Sequence, residues 1–160
     1  MNIRTADILF TCNEGSLVTE GIQFFQRGGD SCPYTHVALI EQWPMIISAD
    51  ADGLQHREIT KDECIKFTVL TCPMATDAHR MRMIEGAFKD VGRGVKYDFA
   101  SIRNLALHLP VRIDPSTVYC SEDIFLRYGQ EGLWLLKRSP ILVTPRDLYH
   151  SSILEEVPYK

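Results

Sequence analysis

Val118-Tyr119-Cys120-Ser121-Glu122 and, far upstream, Tyr34-Thr35-His36-Val37-Ala38-Leu39-Ile40 are the two stretches whose joint reading decides the fold. In the first, an extended run enters an apolar helical pattern (Ile124, Phe125, Tyr128), with Ser121 and Glu122 as favourable first-turn residues. Cys120 is therefore expected at a helix N-terminus. In the second, a histidine heads an apolar run that reads as a central strand. A thiol at a helix start meets unpaired backbone N–H groups and the positive end of the helix dipole, which favour thiolate. An imidazole within hydrogen-bond reach takes the thiol proton, and nucleophilic cysteine catalysis needs that pair. Positions 36 and 120 are remote in the chain, so only a fold can bring them together.

Working outward, Ala6–Thr11 reads as a short buried strand, and Asn13-Glu14-Gly15 turns into a helix capped by Ser16, with Leu17, Val18, Ile22 and Phe25 near helical spacing. After the histidine strand, Pro44 interrupts and Met45–Ala49 forms its hairpin partner. Asp50-Ala51-Asp52-Gly53 is a turn, followed by strands over Leu54–Ile59 and Lys66–Thr71. Thr76 or Asp77 caps a helix that carries Met81, Ile84, Phe88 and Val91 on one face and stops at Gly92. Tyr97–Leu109 is helical in part, and Pro110–Val118 returns in extended form to Cys120. The cysteine helix ends at Gly129, and Thr144-Pro145-Arg146-Asp147 opens a last helix. The order is α+β: mostly antiparallel strands, as an open sheet or a small barrel, with helices packed against them.

A length of 160 residues, without a repeat or linker, fits a single domain spanning 1–160. The formal net charge of −4 argues against a nucleic-acid partner, and the basic residues Arg80, Arg82, Lys89, Arg93 and Lys96 read as a solvated helix face. No apolar run approaches the roughly 20 residues that span a bilayer. No secretory leader is visible, so a cytoplasmic location is expected. Five cysteines cannot all pair within one chain, and no Cys-x-x-Cys or His-x3-His spacing supports a metal site. No cofactor is implied.

Cys12, Cys32, Cys64 and Cys72 lie in strands or loops with no helix start behind them and read as small hydrophobes. His56, His79, His108 and His150 read as surface residues. A third polar group usually orients the imidazole of such a pair. Side-chain alternation places Ser48 on the hairpin partner toward the face of His36, with Asp50 two residues on. Tyr97 and Tyr119 are candidates to line a substrate cleft, with aromatic packing the plainer reading of each.

The chain resembles the circularly permuted papain-like hydrolases of the NlpC-type superfamily, particularly the YiiX/YebB-like group. The resemblance rests on six segments in order along nearly the whole chain. These are Ala6-Asp7-Ile8-Leu9-Phe10, Thr35–Ile40, Ile46–Ala49 with Gly53-Leu54, Lys96-Tyr97-Asp98-Phe99, Tyr119-Cys120-Ser121-Glu122 and Thr144-Pro145-Arg146-Asp147-Leu148. It implies a permuted papain-like fold, with Cys120 as nucleophile and His36 as base, acting on an amide, ester or peptide through a thioester. The family's third polar residue falls at Ser48, where relatives more often carry a carboxylate, amide or imidazole; Asp50, or a water held by Ser48, is the substitute. Relatives include cell-wall endopeptidases, amidases and lipid acyltransferases, and a bacterial or phage origin is expected. Two other readings compete: a catalytically weak binding protein that keeps the cleft, and a redox-sensing thiol.

Overall fold

Ile8, Leu9 and Phe10 are fully buried because their strand, β1 (Ile8–Thr11), lies in the middle of the sheet and is covered on both faces. The structure is a computed structural model that describes residues 2–12, 32–106, 114, 116–137 and 143–158. The helix expected from Ser16, His108 and most of Pro110–Val118 lie outside them. β1 pairs antiparallel with β2 (His36–Gln42) on one side and β5 (Phe67–Thr71) on the other. β3 (Met45–Asp50), β4 (Gly53–Glu58) and β8 (Glu155–Glu156) complete a six-stranded antiparallel sheet in the order β4-β3-β2-β1-β5-β8. The remaining strands, β6 (Lys96–Tyr97) and β7 (Thr117–Val118), form a short parallel pair.

Four helices are described: α1 (Asp77–Arg93), α2 (Phe99–Ala106), α3 (Cys120–Gln130) and α4 (Pro145–Tyr149). Ile124, Phe125 and Tyr128 of α3 enter the same apolar cluster as Val37 and Leu39 of β2 and Ile47 of β3. Each such side chain, once fully buried, contributes roughly 1.5–3 kcal/mol. That packing seats the first turn of α3 against the sheet. A second cluster, with Leu9, Ala38, Ile40, Ile46 and Val69, fills the opposite face, as strand alternation requires. The molecule is thus α+β, a mostly antiparallel sheet packed against helices.

Two helix readings shift. α1 runs through Gly92 to Arg93 and ends on Gly94, whose left-handed φ of 67° makes it the C-cap. Its buried face is Arg80, Met83, Ile84 and Ala87, while Met81 and Phe88 are exposed. An arginine therefore occupies the core-facing row, which turns the helix away from the phase that its apolar residues suggest. α3 likewise passes Gly129 and ends at Gln130, with Gly132 at a φ of 75° beyond it.

One glycine ties the hairpin to the rest. Gly53 has a φ of 111°, and a Cβ there would lie 2.5 Å from the Val95 carbonyl oxygen. The close approach allows the Leu54 N–H to donate to that carbonyl at 2.9 Å. Through this contact the β3–β4 hairpin is docked beside β6, and β6 in turn flanks the strand that leads into Cys120.

Candidate active site

Cys120 owes its position to β7 and α3 together. Parallel pairing sets Tyr97 opposite Val118, and the Asp98 N–H donates to the Val118 carbonyl at 3.1 Å, so the chain enters the helix on a fixed rail. Tyr119 is the N-cap residue, extended at φ −110° and ψ 165°, and Cys120 is the first helical residue. Tyr119 offers no side-chain cap to the helix; instead its own N–H donates to Glu122 Oε2 at 3.4 Å. The Ser121 hydroxyl donates to the Val143 carbonyl at 2.9 Å and straps the same turn to the segment before α4. Helix-start N–H groups are left without an intrahelical acceptor in this turn, which suits a developing negative charge at or beside the thiol.

The fold brings His36 near that thiol, close enough for Cys120 to act on the imidazole. On its other side the sheet holds the ring: His36 Nε2 lies 2.8 Å from Ser48 Oγ. The pairing of Leu39 with Ile47, carried along both strands, sets His36 opposite Asp50 and diagonal to Ser48. The Ser48 hydroxyl donates to Asp50 Oδ1 at 2.9 Å, whereas Asp50 itself stands 3.6 Å from Nε2. Ser48 is thus the direct partner of the ring, and Asp50 reaches it through that hydroxyl.

Two further residues complete the cluster. Arg57 Nε donates to Asp50 Oδ2 at 2.7 Å, while its terminal nitrogens donate to both Glu63 oxygens at 2.8 and 2.9 Å. Glu63 also accepts from the Thr60 N–H and hydroxyl, each at 2.8 Å. Burial works against charge on Glu63, but the Arg57 fork and the Thr60 donors prevail and hold its carboxyl at about 2. Burial is also the largest single influence on His36, and it opposes the charged ring. The nearby Cys120, joined by Asp50 and Glu63, outweighs it and lifts His36 above its ordinary value.

Arg57 and Glu63 are absent from the sequence expectations, yet both carried a signal. The Asp50–Gly53 turn fixes the β3–β4 register, with Ser48 opposite Gln55 and Ile46 opposite Arg57, so Arg57 shares the face of Ser48 and Asp50. Thr60-Lys61-Asp62-Glu63 has the spacing of a capping box, and the structure closes it in both directions.

The tyrosines stand differently. Tyr97 is 8% exposed, its ring 4.9 Å from that of Phe99. Burial first, then the nearby Cys120 and Asp50, raise its hydroxyl well above the ordinary range. Tyr119 is 2% exposed and its hydroxyl engages the Val143 backbone, a packing role under the turn. A cleft of about 270 Å³ opens beside Val118, Glu122, Asp123 and Asp90; neither Cys120 nor His36 lines it. Glu122, at its wall, is raised to about 7 by burial, despite the Tyr119 N–H, with Asp98 and Asp123 adding to the rise. Among the described residues, no group of three or more His, Cys, Asp or Glu side chains is placed to hold a metal ion, and no helix is long and apolar enough to cross a membrane.

No protein-family model matches the chain, and no curated protein matches it in sequence. Its architecture is similar to the crystal structure of the metalloprotein yiiX from Escherichia coli O157:H7. The TM-score is 0.70, covering 100% of this chain and 99% of that one at 14% identity. The likeness is one of fold.

Proposed function

We propose that this chain is a cysteine hydrolase or acyltransferase of the permuted papain-like kind, acting on an amide or ester, peptides included. The observation that carries the proposal is the Cys120 thiol at the first residue of a helix, close to a His36 that Ser48 holds on its other side. His36, held by Ser48 on Nε2, accepts the thiol proton at its other ring nitrogen. The Cys120 sulfur then bonds the substrate carbonyl carbon, and the carbonyl electron pair moves to oxygen, where helix-start N–H groups receive it. The imidazolium returns its proton to the leaving amine or alcohol as that bond breaks, leaving a thioester. Water, deprotonated by His36, releases the acid and restores the thiol; an amine or alcohol in place of water gives acyl transfer. The yiiX-like fold supports the reading without choosing a substrate, since one fold serves many chemistries.

One observation favours a second reading, a papain-like binding protein with an idle thiol: Cys120 is only 1% exposed. The pH dependence of iodoacetamide alkylation, followed at each cysteine by mass spectrometry, separates the two. Fast labelling of Cys120 at pH 6, lost in His36→Ala, is the result expected of the hydrolase. Labelling of Cys120 no faster than that of Cys12 or Cys64, and indifferent to His36, would leave the binding protein.

A further inference from the structure

A serine hydroxyl can donate or accept, so on its own it cannot dictate which nitrogen of a histidine carries the proton. Here its direction is determined by what lies behind it. The Asp50 carboxylate, salt-bridged by Arg57, offers only acceptors, so the Ser48 O–H must point to it across the 2.9 Å contact. The Ser48 oxygen is then an acceptor toward His36, and the 2.8 Å contact is filled by an Nε2–H. Nδ1 is left bare, which the proton acceptor for Cys120 requires. We infer that Asp50 is the positioning residue of His36, fixing its tautomer and supporting its charge through the Ser48 hydroxyl, with Arg57 and Glu63 clamping Asp50 in place.

The clamp is built for that purpose. Arg57 spends one edge on Asp50 and the other on Glu63, whose oxygens are pinned in turn by Thr60. Asp50 is therefore held by Arg57 chiefly through Oδ2, at 2.7 Å, while Oδ1 accepts from Ser48 at 2.9 Å and from an Arg57 terminal nitrogen only at 3.4 Å. Among the described residues, the titratable groups that act on His36 are Cys120 on α3, Asp50 on β3 and Glu63 in the loop after β4, with Arg57 on β4 bound to both carboxylates. Of these, only Asp50 is joined to Nε2 by a single intervening hydroxyl among the described residues.

The inference rests on the catalytic reading for its use, but its test does not. The readout is the ¹⁵N spectrum and titration of His36 in the labelled full-length chain, followed in wild type and in Cys120→Ala. Above the titration of the ring, Nε2 is expected to be pyrrole-type and Nδ1 pyridine-type. Asp50→Asn and Ser48→Ala should each mix the tautomers and lower the His36 titration by roughly one pH unit, and Ser48→Thr, which keeps the hydroxyl, should restore both. A wild-type ring protonated at Nδ1 overturns the relay without any variant. So does a His36 titration and tautomer unmoved in folded Asp50→Asn. A correct tautomer with an unreactive Cys120 keeps the relay and removes the hydrolase, whereas a reactive Cys120 with an unmoved tautomer does the reverse.

Discussion

An arginine–carboxylate cluster buried in the core and another, half-buried, at the candidate site have similar parts and opposite endings. Arg80 of α1 donates to Asp7 Oδ1 at 2.7 Å, to the Thr71 hydroxyl, and to the carbonyls of Thr5, Ala75 and Cys72. Asp7 in turn accepts from the Thr71 hydroxyl and the Arg4 N–H. Every donor ends on backbone or on another member, and the Arg80 and Asp7 side chains are 2% and 0% exposed. The Arg57 cluster is closed on the Glu63 side and open on the other. There it continues through Asp50 and Ser48 to an imidazole and a thiol, and the Asp50 side chain is 25% exposed. A closed cluster ties a helix to a sheet; an open one positions a reactive group. Polar groups buried at this cost are retained for one purpose or the other.

The comparison breaks first at Arg80. Arg80→Met should cost about 3–5 kcal/mol, because Asp7 is left buried and uncompensated. Thermal denaturation should show Tm lowered by roughly 10 °C or more. Where that variant folds, the Cys120 alkylation profile should match wild type. Glu63→Gln should cost less, about 2 kcal/mol by urea denaturation at pH 7. With its folded value depressed to about 2, Glu63 supports the fold above about pH 4.5 and loses that support as pH falls toward 2. The variant should lack that part of the acid transition. Unlike Arg80→Met, it should also slow Cys120 labelling at pH 6, since the clamp on Asp50 loosens.

Glu122 sharpens the contrast from a third position, a buried carboxyl with no cation holding it among the described residues. Its folded value is raised to about 7, so its contribution is intact below about pH 4.5 and is lost as pH rises through 7. Glu122→Gln keeps an acceptor for the Tyr119 N–H. It should be more stable than wild type at pH 8 by about 1 kcal/mol and indistinguishable from it at pH 5, by urea denaturation at the two pH values.

The same contrast explains what was legible in the sequence. Apolar runs and turn residues mark β1 to β5 to within a residue or two, and the Thr76 and Thr144 caps form as expected. His36, Cys120, Ser48 and Asp50 could be singled out because strand alternation and a helix start give them an address, and the fold gathers them. Arg80 could not, since by residue type it belongs on the solvated face of α1. Only the tertiary presence of Asp7, remote in sequence, makes the core its place, and the apolar phase of the helix turns with it. Arg57 needed a register before its strand position had a meaning. The burial of Cys120 has no sequence signature at all.

The most direct test of the central claim is trapping the acyl-enzyme. The chain is incubated with a simple activated acetate ester, and intact-mass and peptide mass spectrometry locate the acetyl group. The account predicts a single acetyl on Cys120, released over time by water, and absent in both Cys120→Ala and His36→Ala. Acetylation spread over the exposed thiols and lysines, with Cys120 unmodified and His36→Ala no different from wild type, would contradict it.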